Sequence, residues 1–92
     1  MTETFIPSRI VVTAHPKLPD GLKVAGSISE YLKGKGIDAP HGSLNDEDLR
    51  KQVNQGNFDL LVTVGGDGTM LRAAQLCAPC GVPILGINHG RL

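Results

Sequence analysis

Two short runs of this chain, Arg9 to Ala14 (RIVVTA) and Phe58 to Val64 (FDLLVTV), are dominated by apolar and β-branched side chains. A strand with one wet face alternates apolar with polar residues. A run that does not alternate is covered on both faces, as in a parallel sheet between layers of helix. The rest of the chain supplies those layers. Leu22, Ala25, Ile28 and Leu32 recur at three- and four-residue spacing and mark one apolar helix face. The Gly34-Lys35-Gly36 stop signal ends that helix near Lys35, and His15 to Gly21, with two prolines and a glycine, reads as the loop before it. Ile37 to Ala39 is predicted to be a brief second strand, set against Pro40. Asn45 is predicted to cap a helix from Asp46 to Gln55, whose acidic-then-basic order suits its dipole. Met70 to Cys77 reads as a third helix and Gly81 to Ile87 as a fourth strand, after a polar lead-in at Met1 to Ser8. Strand and helix alternate, so the expected class is α/β: a mainly parallel sheet of about four strands with flanking helices and right-handed crossovers.

The length, 92 residues, allows one compact domain and not two. Lys plus Arg equals Asp plus Glu, at 9 each, so no basic stripe points to nucleic acid, and 3% aromatic content offers no platform for stacked bases. No apolar run approaches the roughly 20 residues that span a bilayer. The acidic Met1-Thr2-Glu3-Thr4-Phe5 start does not resemble a signal peptide, so the cytoplasm is expected. Cys77 and Cys80 form a CxxC that is open to a redox reading, half a zinc site, or two reduced thiols packed beside a turn. Zinc needs four ligands, and His15, His41 and His89 have no spacing to complete such a set; no resident metal site is expected.

The chemistry centres on Gly65-Gly66-Asp67-Gly68-Thr69, between a buried strand and a helix. Glycines permit positive φ and let backbone N–H groups approach an anion, and the following helix points its N-terminal amides at the same place. The P-loop is excluded because no lysine follows in the pattern G-x-x-x-x-G-K-[ST]. The dinucleotide fingerprint G-x-G-x-x-G fails at Leu71. What distinguishes this loop is Asp67 at its tip. An acid opposes passive anion binding, but it is useful if it accepts a hydroxyl proton or holds a metal, both of which phosphoryl transfer requires.

This segment resembles the GGDGT motif of the superfamily containing NAD kinases, diacylglycerol and sphingosine kinases and, more distantly, 6-phosphofructokinases. A second signature narrows the resemblance. Leu85-Gly86-Ile87-Asn88-His89-Gly90-Arg91-Leu92 is similar to the opening of the NAD kinase strand-loop G-[IV]-N-x-G-x-L-G-F, and the GTGND loop usual in the lipid kinases is lacking. The resemblance to the NAD kinase family runs from Arg9 onward. It implies a Rossmann-like or flavodoxin-like N-terminal domain and transfer of phosphate from ATP to the 2′-hydroxyl of the adenosine ribose of NAD, giving NADP. Asp67 is implied as proton acceptor. Gly65, Gly66, Asp67, Gly68 and Thr69 are implied as nucleotide contacts, with Arg72 and Asn88 beside them. A solvated charge for Arg72, helix capping for Thr69 and a turn for Asn88 stay open, and His89 reads as a surface residue. The resemblance implies ATP or polyphosphate as donor, with Mg²⁺ or another divalent metal neutralising charge.

A carboxylate is a far weaker base than an alkoxide, so Asp67 takes the proton late and orientation of the hydroxyl matters more. The resemblance also implies a β-rich C-terminal domain that this sequence lacks. Residues 1–92 are therefore expected to be a single α/β nucleotide-binding domain cut short at its C-terminal end and inactive alone. The full-length enzyme is expected to be a homo-oligomer acting on small nucleotides. Two other readings are a lipid or sugar kinase of the same superfamily and a non-catalytic nucleotide-binding module.

Overall fold

The computed structural model describes residues 7–88. The lead-in at 1–6 and the segment 89–92, with the end of the second signature and the surface reading of His89, lie outside the described residues. Four parallel strands, β1 (Ile10–Ala14), β2 (His41–Ser43), β3 (Leu60–Gly65) and β4 (Ile84–Asn88), form one sheet in the order β2-β1-β3-β4. Three α-helices connect them: α1 (Pro19–Gly34), α2 (Glu47–Asn54) and α3 (Asp67–Cys77), the last running into a short 3₁₀ turn at Ala78–Cys80. The α/β class, the parallel sheet and its four strands are as expected from the apolar runs.

The two central strands earn their positions through burial on both faces. Every residue of β1 is buried, and so is every residue of β3 after Leu60. Ile10, Val12, Ala14, Val62 and Val64 pack with Ala25 on the α1 side. Val11 and Leu61 join Leu49, Val53, Phe58, Ala73 and Leu76 on the α2–α3 side. Each fully buried aliphatic side chain contributes roughly 1.5–3 kcal/mol, so this two-sided packing holds the sheet. The crossover from β1 to β2 runs one way along the sheet, and those from β2 to β3 and β3 to β4 run the other. A single crossover hand then places α1 on one face and α2 with α3 on the opposite face.

Helix ends follow local chemistry. At Gly36 (φ 83°) and Gly56 (φ 74°) the chain takes the left-handed turn that closes α1 and α2. Gly36 N–H and Ile37 N–H donate to the carbonyls of Lys33 and Leu32 at 3.0 and 3.1 Å. Gly56 and Asn57 repeat the pattern on Val53 and Gln52.

Several boundaries differ from the sequence reading, including α3, which starts at Asp67 and not Met70. Helix α1 starts at Pro19, inside the expected loop, because proline's fixed φ suits the first helical position. Asp46, not Asn45, caps α2: its Oδ1 accepts from the amides of Asp48 (2.9 Å) and Leu49 (3.1 Å). The second strand is His41–Ser43 instead of Ile37–Ala39. Asp38 makes an isolated bridge to Arg9, and Pro40 contributes its carbonyl to Val12 N–H at 2.9 Å. Proline is tolerated there because β2 lies at the sheet edge. Strand β4 begins at Ile84, after Gly81 has turned the chain at φ 69°.

Candidate functional site

In an open parallel sheet, ligands sit beyond the carboxyl ends of the strands, where neighbouring strands send their connections to opposite faces. Here that point lies between β1, whose connection leads to α1, and β3, whose connection leads to α3. An open cleft of about 390 Å³ occupies it, lined by His15 and Leu18 after β1 and by Gly66, Gly68, Thr69 and Arg72 after β3.

The glycine segment is tighter than a loop. Gly65 is the last residue of β3, Gly66 is the residue before α3, and Asp67, Gly68 and Thr69 form the first helical turn. Gly66 has an extended backbone (φ −98°) and offers no capping side chain. The first intrahelical bond runs from Met70 N–H to Gly66 O at 3.1 Å. The amides of Asp67, Gly68 and Thr69 therefore have no intrahelical acceptor, and they carry the positive end of the helix dipole. This set of donors beside a cleft is suited to an anion.

Gly65 takes the positive φ that glycine permits (159°), and it also serves close approach. A Cβ added at Gly65 would stand 2.7 Å from Thr69 Oγ1 and 2.8 Å from Thr69 Cβ. Thr69 is 4% exposed, and no side-chain cap bond forms at this helix end, so its capping role is not realised. Gly68 has open space where its Cβ would be. At Gly21, buried in the first turn of α1, an added Cβ would stand in ordinary contact, 3.7 Å from the Ala14 Cβ.

The structure brings Gly66, Gly68, Thr69 and Arg72 to one cleft and places Gly65 buried behind them. Asp67 is exposed in the first turn, between Gly66 and Gly68, and is not itself one of the residues lining the cleft. Asn88 pairs in register with Gly65 at the end of β4 and is exposed. The two signatures also meet through Met70, whose Sδ lies 2.8 Å from where a Gly86 Cβ would stand. Arg72 is not simply solvated: its Nη2 donates to Asn45 Oδ1 across to the α2 side.

His15 and Leu18 were not singled out as site residues by the sequence. Their signal was position alone, immediately after a buried strand. His15 Nδ1 accepts from Lys17 N–H at 2.9 Å, and the His15 amide donates to Val64 O at 3.3 Å, fixing the β1 loop against β3.

Asp67 is the one carboxylate of this helical turn. It does not make a protein cage, and the described residues contain no cluster of three or more metal-ligating side chains. The cysteines take the packing reading. Cys77 is buried at the C-terminal end of α3, where the dipole gives a thiolate no help, and Cys80 Sγ contacts the carbonyl of Cys77 at 3.5 Å.

Residues 10–92 match the family model described as the ATP-NAD kinase N-terminal domain. Among similar proteins, the NAD kinase of Heliobacterium modesticaldum is 51% identical over 84 residues, covering 80% of this chain and 28% of that protein. The NAD kinase of Chloroflexus aurantiacus is 32% identical over 85 residues, covering 91% of this chain and 30% of that protein. The chain thus spans less than a third of the length of these relatives. A solved structure from Bacillus anthracis str. Sterne, assigned as a diacylglycerol kinase, superposes with a TM-score of 0.65 at 20% identity. It covers 95% of this chain and 32% of that one, a likeness of fold.

Proposed function

The chain belongs to the NAD kinase family, and from that premise we propose that it supplies the phosphate-loop side of an active site that phosphorylates NAD to NADP. The observation that carries the reading is the first turn of α3: three amides without an intrahelical acceptor, in a turn whose Gly68 and Thr69 line the β1–β3 cleft, with one exposed carboxylate between Gly66 and Gly68.

The amides of Asp67, Gly68 and Thr69 receive phosphate oxygens of the donor, ATP or polyphosphate, with Arg72 adding a guanidinium. The ribose 2′-oxygen of NAD attacks the terminal phosphorus. The bond from that phosphorus to the bridging oxygen breaks, and its electrons leave on ADP or on the shortened polyphosphate. The hydroxyl proton passes late to Asp67, whose larger contribution is to aim the oxygen. Asp67 would be the residue to ligate a divalent metal bound to the donor, which would neutralise charge on the leaving phosphate. Asn88, beside Gly65 at the end of β4, borders the same edge and is a candidate contact for the dinucleotide.

Residues 1–92 form a single domain in this proposal, and the remaining substrate contacts come from outside them, so the isolated chain has no kinase activity. A cytoplasmic setting and a homo-oligomeric full-length enzyme belong to the same reading. Assays of the full-length enzyme with NAD and with diacylglycerol as acceptors test it. NADP formation supports the proposal, and phosphorylation of the lipid alone overturns it.

A further inference from the structure

A second cleft, of about 250 Å³, opens between α2 and α3 and is lined by Arg50, Asn54, Arg72, Gln75, Leu76 and Pro79. Among the described residues no acidic side chain lines it, while two guanidiniums and two carboxamides do. The acids of α2, Glu47 and Asp48, lie in its first turn, and Asp48 is engaged by Gln52 Nε2 at 2.9 Å. Each arginine is tethered by one bond to a neutral oxygen of the segment after β2. Arg50 Nη1 donates to Leu44 O at 3.4 Å, and Arg72 Nη2 donates to Asn45 Oδ1. These bonds orient the two planar groups without neutralising either, and each guanidinium has five N–H donors.

Arg72 also lines the β1–β3 cleft, so the two depressions share a wall. An anion held on the α3 amides and a second anionic group held between Arg72 and Arg50 would lie on one continuous path. We infer that the α2–α3 cleft is a phosphate subsite, in which Arg50 and Arg72 bind one phosphate of a polyphosphate chain whose neighbouring phosphate rests on the first turn of α3. The ligand class is a linear polyphosphate, either the tail of a nucleoside triphosphate or an inorganic chain. The inference rests on the reading of the α3 amides as a phosphate site and extends it to a surface outside the glycine motif.

Inorganic tripolyphosphate titrated into the ¹⁵N-labelled 92-residue protein tests it by NMR. The expected result is saturable movement of the Arg50 and Arg72 Nε–H signals and the Asn54 and Gln75 side-chain amide signals, alongside the amides of Gly68 and Thr69. Arg50→Gln and Arg72→Gln are each expected to weaken binding by about 10-fold or more, the scale of a lost charge-assisted hydrogen bond. ATP in place of tripolyphosphate separates the sources. Tighter binding of ATP identifies a nucleotide tail and equal binding an inorganic chain, and both support the subsite. Movement confined to the α3 amides, with Arg50→Gln binding like the parent, overturns the subsite and leaves the loop reading intact. Silence of the α3 amides toward both ligands overturns the loop reading, and the subsite with it.

Discussion

Thr69 fills the space that a side chain on Gly65 would need: a Cβ there would stand 2.7 Å from its Oγ1 and 2.8 Å from its Cβ. The last residue of β3 and the third residue of α3 are thereby held in contact, which aims the free helix amides at the β1–β3 cleft. Gly65→Ala must push α3 away, because the Thr69 Cβ is fixed to the helix backbone. The expected cost is about 1–3 kcal/mol, the range for overpacking a tight core. Gly68→Ala meets open space and replaces a helical glycine, so it is expected to stabilise the fold by up to about 1 kcal/mol while narrowing the cleft. Urea denaturation with a parallel ATP-binding titration checks the pair: Gly65→Ala loses stability, and Gly68→Ala keeps stability but binds more weakly.

Thr63, in the middle of β3, buries a hydroxyl with no hydrogen-bond partner, whereas its register partner Thr13 donates to Val62 O at 3.1 Å. Thr63→Val keeps the shape and removes the unsatisfied group. The urea midpoint is expected to rise by the equivalent of about 1 kcal/mol with an unchanged slope. A lower midpoint would mean that the hydroxyl has a partner in solution.

The amino-terminal end of the two central strands, opposite the cleft, is held by Asp59. Its Oδ2 accepts from the Ser8 amide (2.9 Å), the Arg9 amide (3.0 Å) and the Ser8 hydroxyl (3.0 Å). These bonds, led by the Ser8 amide, hold its carboxyl below the ordinary 3.8. A depressed folded value stabilises the protein above the unfolded value, and that stability is lost as pH falls through the folded one. Thermal unfolding followed from about pH 5 down to about pH 2 is expected to show this loss. Asp59→Asn should flatten the profile in that window. An unchanged profile would place the acid sensitivity elsewhere.

Burial, and next the nearby Cys80, push the Cys77 thiol up to about 11 from an ordinary 9.0. Because the folded value is the higher one, stability is full below 9.0 and falls as pH rises toward 11. In the folded protein at neutral pH, iodoacetamide is expected to label the half-buried Cys80 first and to reach Cys77 only on unfolding. Equal labelling rates by mass spectrometry would contradict the packing.

The sheet and helices were legible because burial on two faces and helical spacing leave periodic marks in the sequence, as in RIVVTA and in Leu22, Ala25, Ile28 and Leu32. Asn45 and Asp46 are both good capping types, and only the tertiary bond of Asn45 to Arg72 decides between them. Pro40 pointed away from a strand, yet an edge strand lacks the demand for its N–H. The glycine motif was visible, but the reason for Gly65 was not, since close approach to Thr69 depends on where α3 lies. The other cleft wall, His15 and Leu18, comes from a strand about fifty residues earlier in the sequence and carries no local signal.

The most direct test of the account is turnover of NAD by the full-length enzyme carrying Asp67→Asn. The substitution keeps the helix start and removes the carboxylate. The expected result is a fall in kcat of about 10²–10⁴-fold, the range of a lost general base, with little change in KM for ATP. NADP formation at the parent rate would contradict the role of Asp67 and the reading of this first turn as a transfer site.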